Sequence, residues 1–151
     1  MATSKLLQSL DATFSDGTDR GITPSSRTQI ETFIASGTIV AGDLVSLDIE
    51  NSDIGKRALN IVQSDDGDPN RVVVGFALHG GSAGDPIRVT ISGYHKDANV
   101  TTGLNRSAPV QVGSVPGRAD VHTTTKADIV IAFLATPESG NKADVIVLKQ
   151  F

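Results

Sequence analysis

The sequence predicts a mainly β fold, a small β-barrel or β-sandwich of tandem character, behind an N-terminal arm with room for one short helix. Three observations predict it. From Thr28 onward, strand-like runs of about five residues recur at close spacing. Gly-, Pro- and Asp-rich turns separate them, and beyond the first 27 residues no long amphipathic helical pattern occurs. The chain therefore divides into an arm, residues 1–27, and one β domain, residues 28–151, in which a hairpin-like unit is used more than once.

In the arm, Ser4 is placed to cap a helix over Lys5–Asp11, with Leu6, Leu7 and Leu10 at helical spacing and Phe14 four residues on. The turn-rich stretch Ser15–Gly21 and then Pro24-Ser25-Ser26 follow. A segment with so few apolar groups builds no core of its own. Two readings stay open: a frayed terminus, or an arm that orders on a partner through Leu6, Leu7, Leu10 and Phe14.

The β signal begins with Ile30, Thr32 and Ile34, which alternate with Glu31 and Phe33 before Gly37. Thr38–Val40 and Leu44–Leu47 flank Ala41-Gly42-Asp43, and Ala58–Val62 is a further short apolar piece. Asp65–Asn70 is a loop by its turn chemistry, Arg71–Leu78 a buried-type strand, and Gly80–Gly84 another loop. Ile87, Val89 and Ile91 alternate with Arg88, Thr90 and Ser92. Tyr94–Arg106 is polar and weakly patterned, Val110 and Val112 alternate, and Gly113–Lys126 has loop character. Two strong strands, Ile129–Leu134 and Val145–Leu148, finish the chain.

Two internal echoes support a repeated unit. Ala41-Gly42-Asp43-Leu44-Val45-Ser46-Leu47 returns as Ala83-Gly84-Asp85-Pro86-Ile87-Arg88-Val89. In each, the glycine (Gly42, Gly84) suits a φ > 0 turn position and the aspartate (Asp43, Asp85) suits bonding to nearby backbone amides, after which a strand starts. Val73–Leu78 likewise resembles Val130–Ala135.

Composition narrows the function classes. At 151 residues the chain is long enough for a core without staples, since a domain of this size buries roughly 68–70% of its unfolded surface. Cysteine is absent, which fits a reducing interior or a particle assembled inside a cell. With 17 acidic and 13 basic residues and only Lys56-Arg57 as a basic pair, nucleic acid is not expected as a partner. The apolar runs, such as Ile129–Ala135, fall far below the roughly 20 residues of a membrane span, and Leu6-Leu7 is too short for a signal-peptide core, so no membrane is expected either. Five Phe, one Tyr and no Trp leave little for a ring-stacking platform, which counts against glycan recognition.

No candidate for chemistry survives inspection. His79, His95 and His122 have no metal-ligand spacing among them, and His79 reads as a loop histidine. Asp65-Asp66-Gly67-Asp68 imitates a calcium loop, but its Gly comes third and Phe76 stands where the twelfth-position Glu belongs. Gly80–Gly84 has the backbone of an anion nest without the Lys-Ser/Thr of a P-loop. No nucleophile sits beside a base, and the carboxylate pairs Glu50/Asp53 and Asp65/Asp66 lie in polar turns. We expect no catalytic residues, no metal site and no cofactor.

One resemblance goes further. Thr32–Asp48, then Val73-Val74-Gly75-Phe76-Ala77-Leu78, then Ala83–Val89 and Gly93-Tyr94 resemble, in that order, segments of the capsid-cement (head-decoration) proteins of tailed bacteriophages. The match covers roughly residues 32–94, and 127–148 more loosely; 1–27 and 95–126 fall outside it. The resemblance implies a virion structural protein on the outer surface of an icosahedral head, locking the expanded lattice against DNA pressure. Its implied partners are the major capsid protein and further copies of itself, a trimer before a dimer, with assembly in the host cytoplasm. Leu6, Leu7, Leu10 and Phe14 are then the expected capsid contacts. The competing expectations are a fibre, tail or receptor-binding β module of a virion, and a β-rich nucleotide hydrolase, against which the lack of a metal-holding acidic motif speaks.

Overall fold

A computed structural model describes residues 28–68, 71–123 and 129–150, so the expected arm helix and its four apolar side chains lie outside the described residues. Nine strands are present there, with one 3-10 turn, Ile54–Lys56, and no α-helix. The fold is mainly β, built on a closed five-stranded barrel with a second sheet beside it.

The first barrel starts with β1 (Gln29–Ala35). Its buried face is carried by Phe33 and Ala35, while Ile30 and Glu31 at its start are exposed. The inward phase is dictated by pairing. β1 runs antiparallel to β5 (Pro86–Asn99), with Phe33 opposite Ile87, and parallel to β3 (Asn60–Gln63), with Ala35 opposite Ile61. β3 then pairs with β2 (Leu44–Leu47), β2 with β4 (Val72–Ala77), and β4 with β5, which closes the ring. Thr38–Val40 contributes only a bridge, Ile39 to Gly81, rather than a strand.

β2 and β4 are buried on both faces, which is why β4 reads as a run without polar side chains and β2 as an apolar run broken only by Ser46. Val45, Val74 and Ala77 fill the first barrel with Ile61, Ile87 and Val89. Leu44 and Phe76 point the other way, into a second core with Val100, Val110, Leu134 and Val145. A bulge permits this double use: Val45 faces Gly75 and Ser46 faces Val73, leaving Val74 as the extra residue on β4. Gly75 is required there by space, because a Cβ would overlap the carbonyl oxygen of Thr90.

β5 is 14 residues long and serves both halves. Its first part pairs with β1 and β4; from Gly93 to Asn99 it pairs with β9 (Lys142–Val147). The polar stretch Tyr94–Arg106, weakly patterned in sequence, is thus half strand. A bulge between His95 and Ala98 loops out Lys96 and Asp97 and scrambles the alternation there. Beyond β9 the second sheet continues through β8 (Ala132–Leu134) and β6 (Pro109–Val112) to β7 (Ala119–Val121), a strand inside the expected loop Gly113–Lys126. A bridge from Ala119 to Val100 returns β7 to the end of β5, so this sheet also curls round on itself.

Candidate functional site

The two Ala-Gly-Asp echoes form the same turn. Asp43 N donates to Val40 O at 3.1 Å and Asp85 N to Ser82 O at 3.0 Å, with Gly42 at φ +88° and Gly84 at φ +92°. Each aspartate then accepts from the first amide of its turn: Val40 N to Asp43 Oδ2 and Ser82 N to Asp85 Oδ2, both at 2.8 Å. The turns also exchange contacts. Ala77 N donates to Asp43 O and Gly42 N to Ala77 O, while Ala35 N donates to Asp85 O and Gly84 N to Ala35 O. The Ile39–Gly81 bridge lies between them. A constant sequence offset relates Ala35, Ile39, Gly42 and Asp43 to Ala77, Gly81, Gly84 and Asp85, so the first barrel contains an internal two-fold repeat.

The copies differ in what covers them. Asp85 is exposed and its turn is open, with nothing within 4 Å of a Cβ placed at Gly84. Asp43 is 4% exposed and binds across the seam between the two sheets, accepting from Gln63 Nε2 at 2.6 Å and Asn99 Nδ2 at 2.7 Å. Asn99 N donates to Gly42 O at 2.8 Å, and Leu44 N to Gly117 O at 2.8 Å, tying both ends of the turn to the second sheet.

Beside this seam lies an open cleft of about 350 Å³, lined by Gly42, Leu78, His95, Lys96, Asp97 and Lys142 among others. His95 is buried, stacked at 5.5 Å on Phe76 and bonded through Nδ1 to Thr90 Oγ1 at 2.9 Å. Burial pushes its pKa down to about 4, against the pull of Asp97. The imidazole is therefore neutral at pH 7 and already engaged by Thr90. The lining holds no Ser, Thr or Cys nucleophile for it to activate. Among the described residues no three His, Asp or Glu side chains gather as a metal site. His79, at the end of β4, is exposed; its Nε2 accepts from Arg88 N at 3.2 Å.

The surface features that sequence reasoning missed lie on the outer face of the second sheet. Tyr94 stands opposite Ile146, Ile146 opposite Phe133, and Phe133 opposite Pro109, one residue from each of β5, β9, β8 and β6. Phe133 is 40% and Ile146 42% exposed, so the row is an apolar stripe four strands wide, open to solvent. Tyr94 donates its hydroxyl to Asp144 Oδ2 at 2.5 Å, and that bond pushes the phenol pKa up to about 12. A signal was present: Ala132-Phe133-Leu134 and Val145-Ile146-Val147 are three apolar residues in a row, and in a strand the middle one must face away from the core.

No protein-family model matches the chain, and no curated protein does. Among solved structures, a chain described as "The capsid of Myoviridae Phage XM1" matches at TM-score 0.62, over 86% of this chain and 89% of that one, with 14% sequence identity. The chain shares its fold with that phage capsid structure. Coverage this wide takes in both sheets, since neither alone spans so much of the sequence. The runs that carried the sequence resemblance, Thr32–Asp48, Val73–Leu78 and Ala83–Val89, all fall in the first barrel and its turns. Leu6, Leu7, Leu10 and Phe14 remain outside the described residues.

Proposed function

We propose that the chain is a virion structural protein that binds the outer surface of an icosahedral phage head and stabilises the expanded capsid against the pressure of packaged DNA. The observation that carries the reading is the shared fold over nearly the whole of both chains. The residue order Ala-Gly-Asp, Val-Val-Gly-x-Ala, Ala-Gly-Asp supports it from the sequence side. In this reading the major capsid protein is the partner, Leu6, Leu7, Leu10 and Phe14 are capsid contacts, and copies associate with one another, as trimers before dimers. A closed barrel, whose strands have no free edge, suits the task, because an exposed edge in a protein present at high local density invites aggregation. Attachment needs no chemistry; each copy contributes a modest interface and the lattice repeats it.

The test is binding to expanded heads prepared without the protein, followed by heating and measurement of DNA retention. Full-length protein is expected to fill the heads and raise the temperature of DNA loss. Protein lacking residues 1–27 is expected to stay folded and bind weakly. If the full-length protein leaves the heads bare, the reading fails.

A further inference from the structure

The two-fold repeat of the first barrel extends past its turns into the strands. Ile34 stands opposite Pro86 as Phe76 stands opposite Leu44, and Phe33 opposite Ile87 as Gly75 opposite Val45. In the first copy the second sheet covers this face. Leu44 and Phe76 are fully buried, and Asp43 takes side-chain amides from Gln63 and Asn99. In the second copy none of the described residues covers it. Gly84, Asp85, Pro86 and Arg88 are exposed and Ile34 is half-buried, whereas their counterparts Gly42, Asp43, Leu44, Ser46 and Phe76 are all buried. Asp85 takes the turn amide of Ser82, and the Arg88 guanidinium has no ion-pair or hydrogen-bond partner among the described residues.

We infer that this second face joins two copies of the chain about a two-fold axis, with Arg88 donating to the partner's Asp85 in both directions. A face that carries one carboxylate and one guanidinium is complementary to its own copy turned through 180°, where each charge meets its opposite twice. Guanidinium and carboxylate fit through two parallel N–H bonds, so Asp85 gains the side-chain donor that Asp43 already has in Asn99. Pro86 and Ile34, in the places of Leu44 and Phe76, supply the apolar centre of the contact. Proline at this position matters. Leu44 N must be met by Gly117 O when the first face is covered, whereas Pro86 has no N–H to leave unpaired when the second is. A contact of this kind closes at two copies and leaves any three-fold association to another surface.

The inference concerns the protein alone and does not depend on the head-binding reading. The experiment is sedimentation velocity on the full chain at concentrations up to about 100 μM, where a contact of micromolar strength is nearly complete. The unaltered protein is expected to sediment as a dimer there. Asp85→Lys and Arg88→Glu proteins are each expected to be monomeric. Each like-charge pair costs at least about tenfold and occurs twice, so the dimer constant weakens about a hundredfold or more. An equal mixture of the two variants is expected to recover the dimer. In the mixed pair the altered side chains meet each other, and the native Arg88 meets the native Asp85. Calorimetry checks that each variant folds. Arg88→Glu removes no bond of the turn, so its result stands even where Asp85→Lys unfolds. An unaltered protein that stays monomeric, an Arg88→Glu dimer as tight as the unaltered one, or a folded mixture that stays monomeric each overturns the inference. None of these outcomes touches the head-binding test.

Discussion

Gly42 and Gly84 hold the same backbone conformation in two copies of one turn, so replacing each with alanine separates conformational strain from packing. Both have φ near +90°, where an L-residue costs about 1–2 kcal/mol, offset in part by the smaller entropy of the unfolded alanine chain. For Gly84→Ala that is the whole cost, since a Cβ there meets nothing within 4 Å. We expect a net loss of about 1 kcal/mol, or roughly 3 °C in Tm for a chain of this size. For Gly42→Ala the Cβ overlaps the Asp97 carbonyl oxygen and comes within 3.3 Å of Asn99 N. Relief requires the β5 bulge to move, which loosens the Asn99 N–Gly42 O and Asn99–Asp43 bonds. Two such bonds add about 1 kcal/mol each, more where a buried carboxylate loses a donor. The expected loss is therefore about 3–4 kcal/mol, roughly 10 °C. Calorimetry and urea midpoints on the full chain measure both. Equal losses in the two variants would refute the argument that the first turn is the fastening point between the sheets.

Two further predictions rest on the same seam. Asp43→Ala strips acceptors from Val40 N, Gln63 and Asn99, and should cost about 3 kcal/mol or more, whereas Asp85→Ala, which removes one exposed bond, should cost about 1 kcal/mol; urea midpoints at pH 7 compare them. His95 gives a pH dependence. Its folded pKa, about 4, lies below the ordinary 6.5, so the unfolded chain binds a proton first and unfolding takes one up between those values. Stability is expected to be unaffected by this group above pH 6.5, to fall as pH drops toward 4, and to have lost about 3 kcal/mol there. His95→Gln should remove that part of the slope, seen as the difference between the two proteins' unfolding free energies from pH 7 to 4; parallel curves would count against a buried neutral imidazole.

The fold class was legible because it depends on local signals. Short apolar runs and Gly-Asp turns survive any arrangement of the strands, and the Ala-Gly-Asp echo marked a real structural repeat. What escaped reading depended on long-range pairing. Which face of β1 is buried could not be read from its alternation, because Ile30 and Ile34 are more apolar than Ala35, yet its pairing with β3 and β5 sends Phe33 and Ala35 inward. The second half of β5 was hidden by its bulge at Lys96-Asp97, and β7 by the turn residues around Pro116-Gly117. Asp43 could be read as a turn residue but not as a seam, because Gln63 and Asn99 reach it from distant parts of the chain. The apolar stripe was visible only as strands that are too apolar, and which face was open required knowing where both cores sit.

The strand β5 has a mechanical meaning. Two bodies joined by a linker or a patch of side chains can be prised apart one contact at a time, but these two share an extended covalent segment roughly 40 Å long, hydrogen-bonded to β1 and β4 in its first half and to β9 in its second. A pull that tries to separate them loads those bonds in shear, many at once, instead of unzipping them in sequence. Tension applied across the two halves is carried along this shared backbone before the packing between them has to yield.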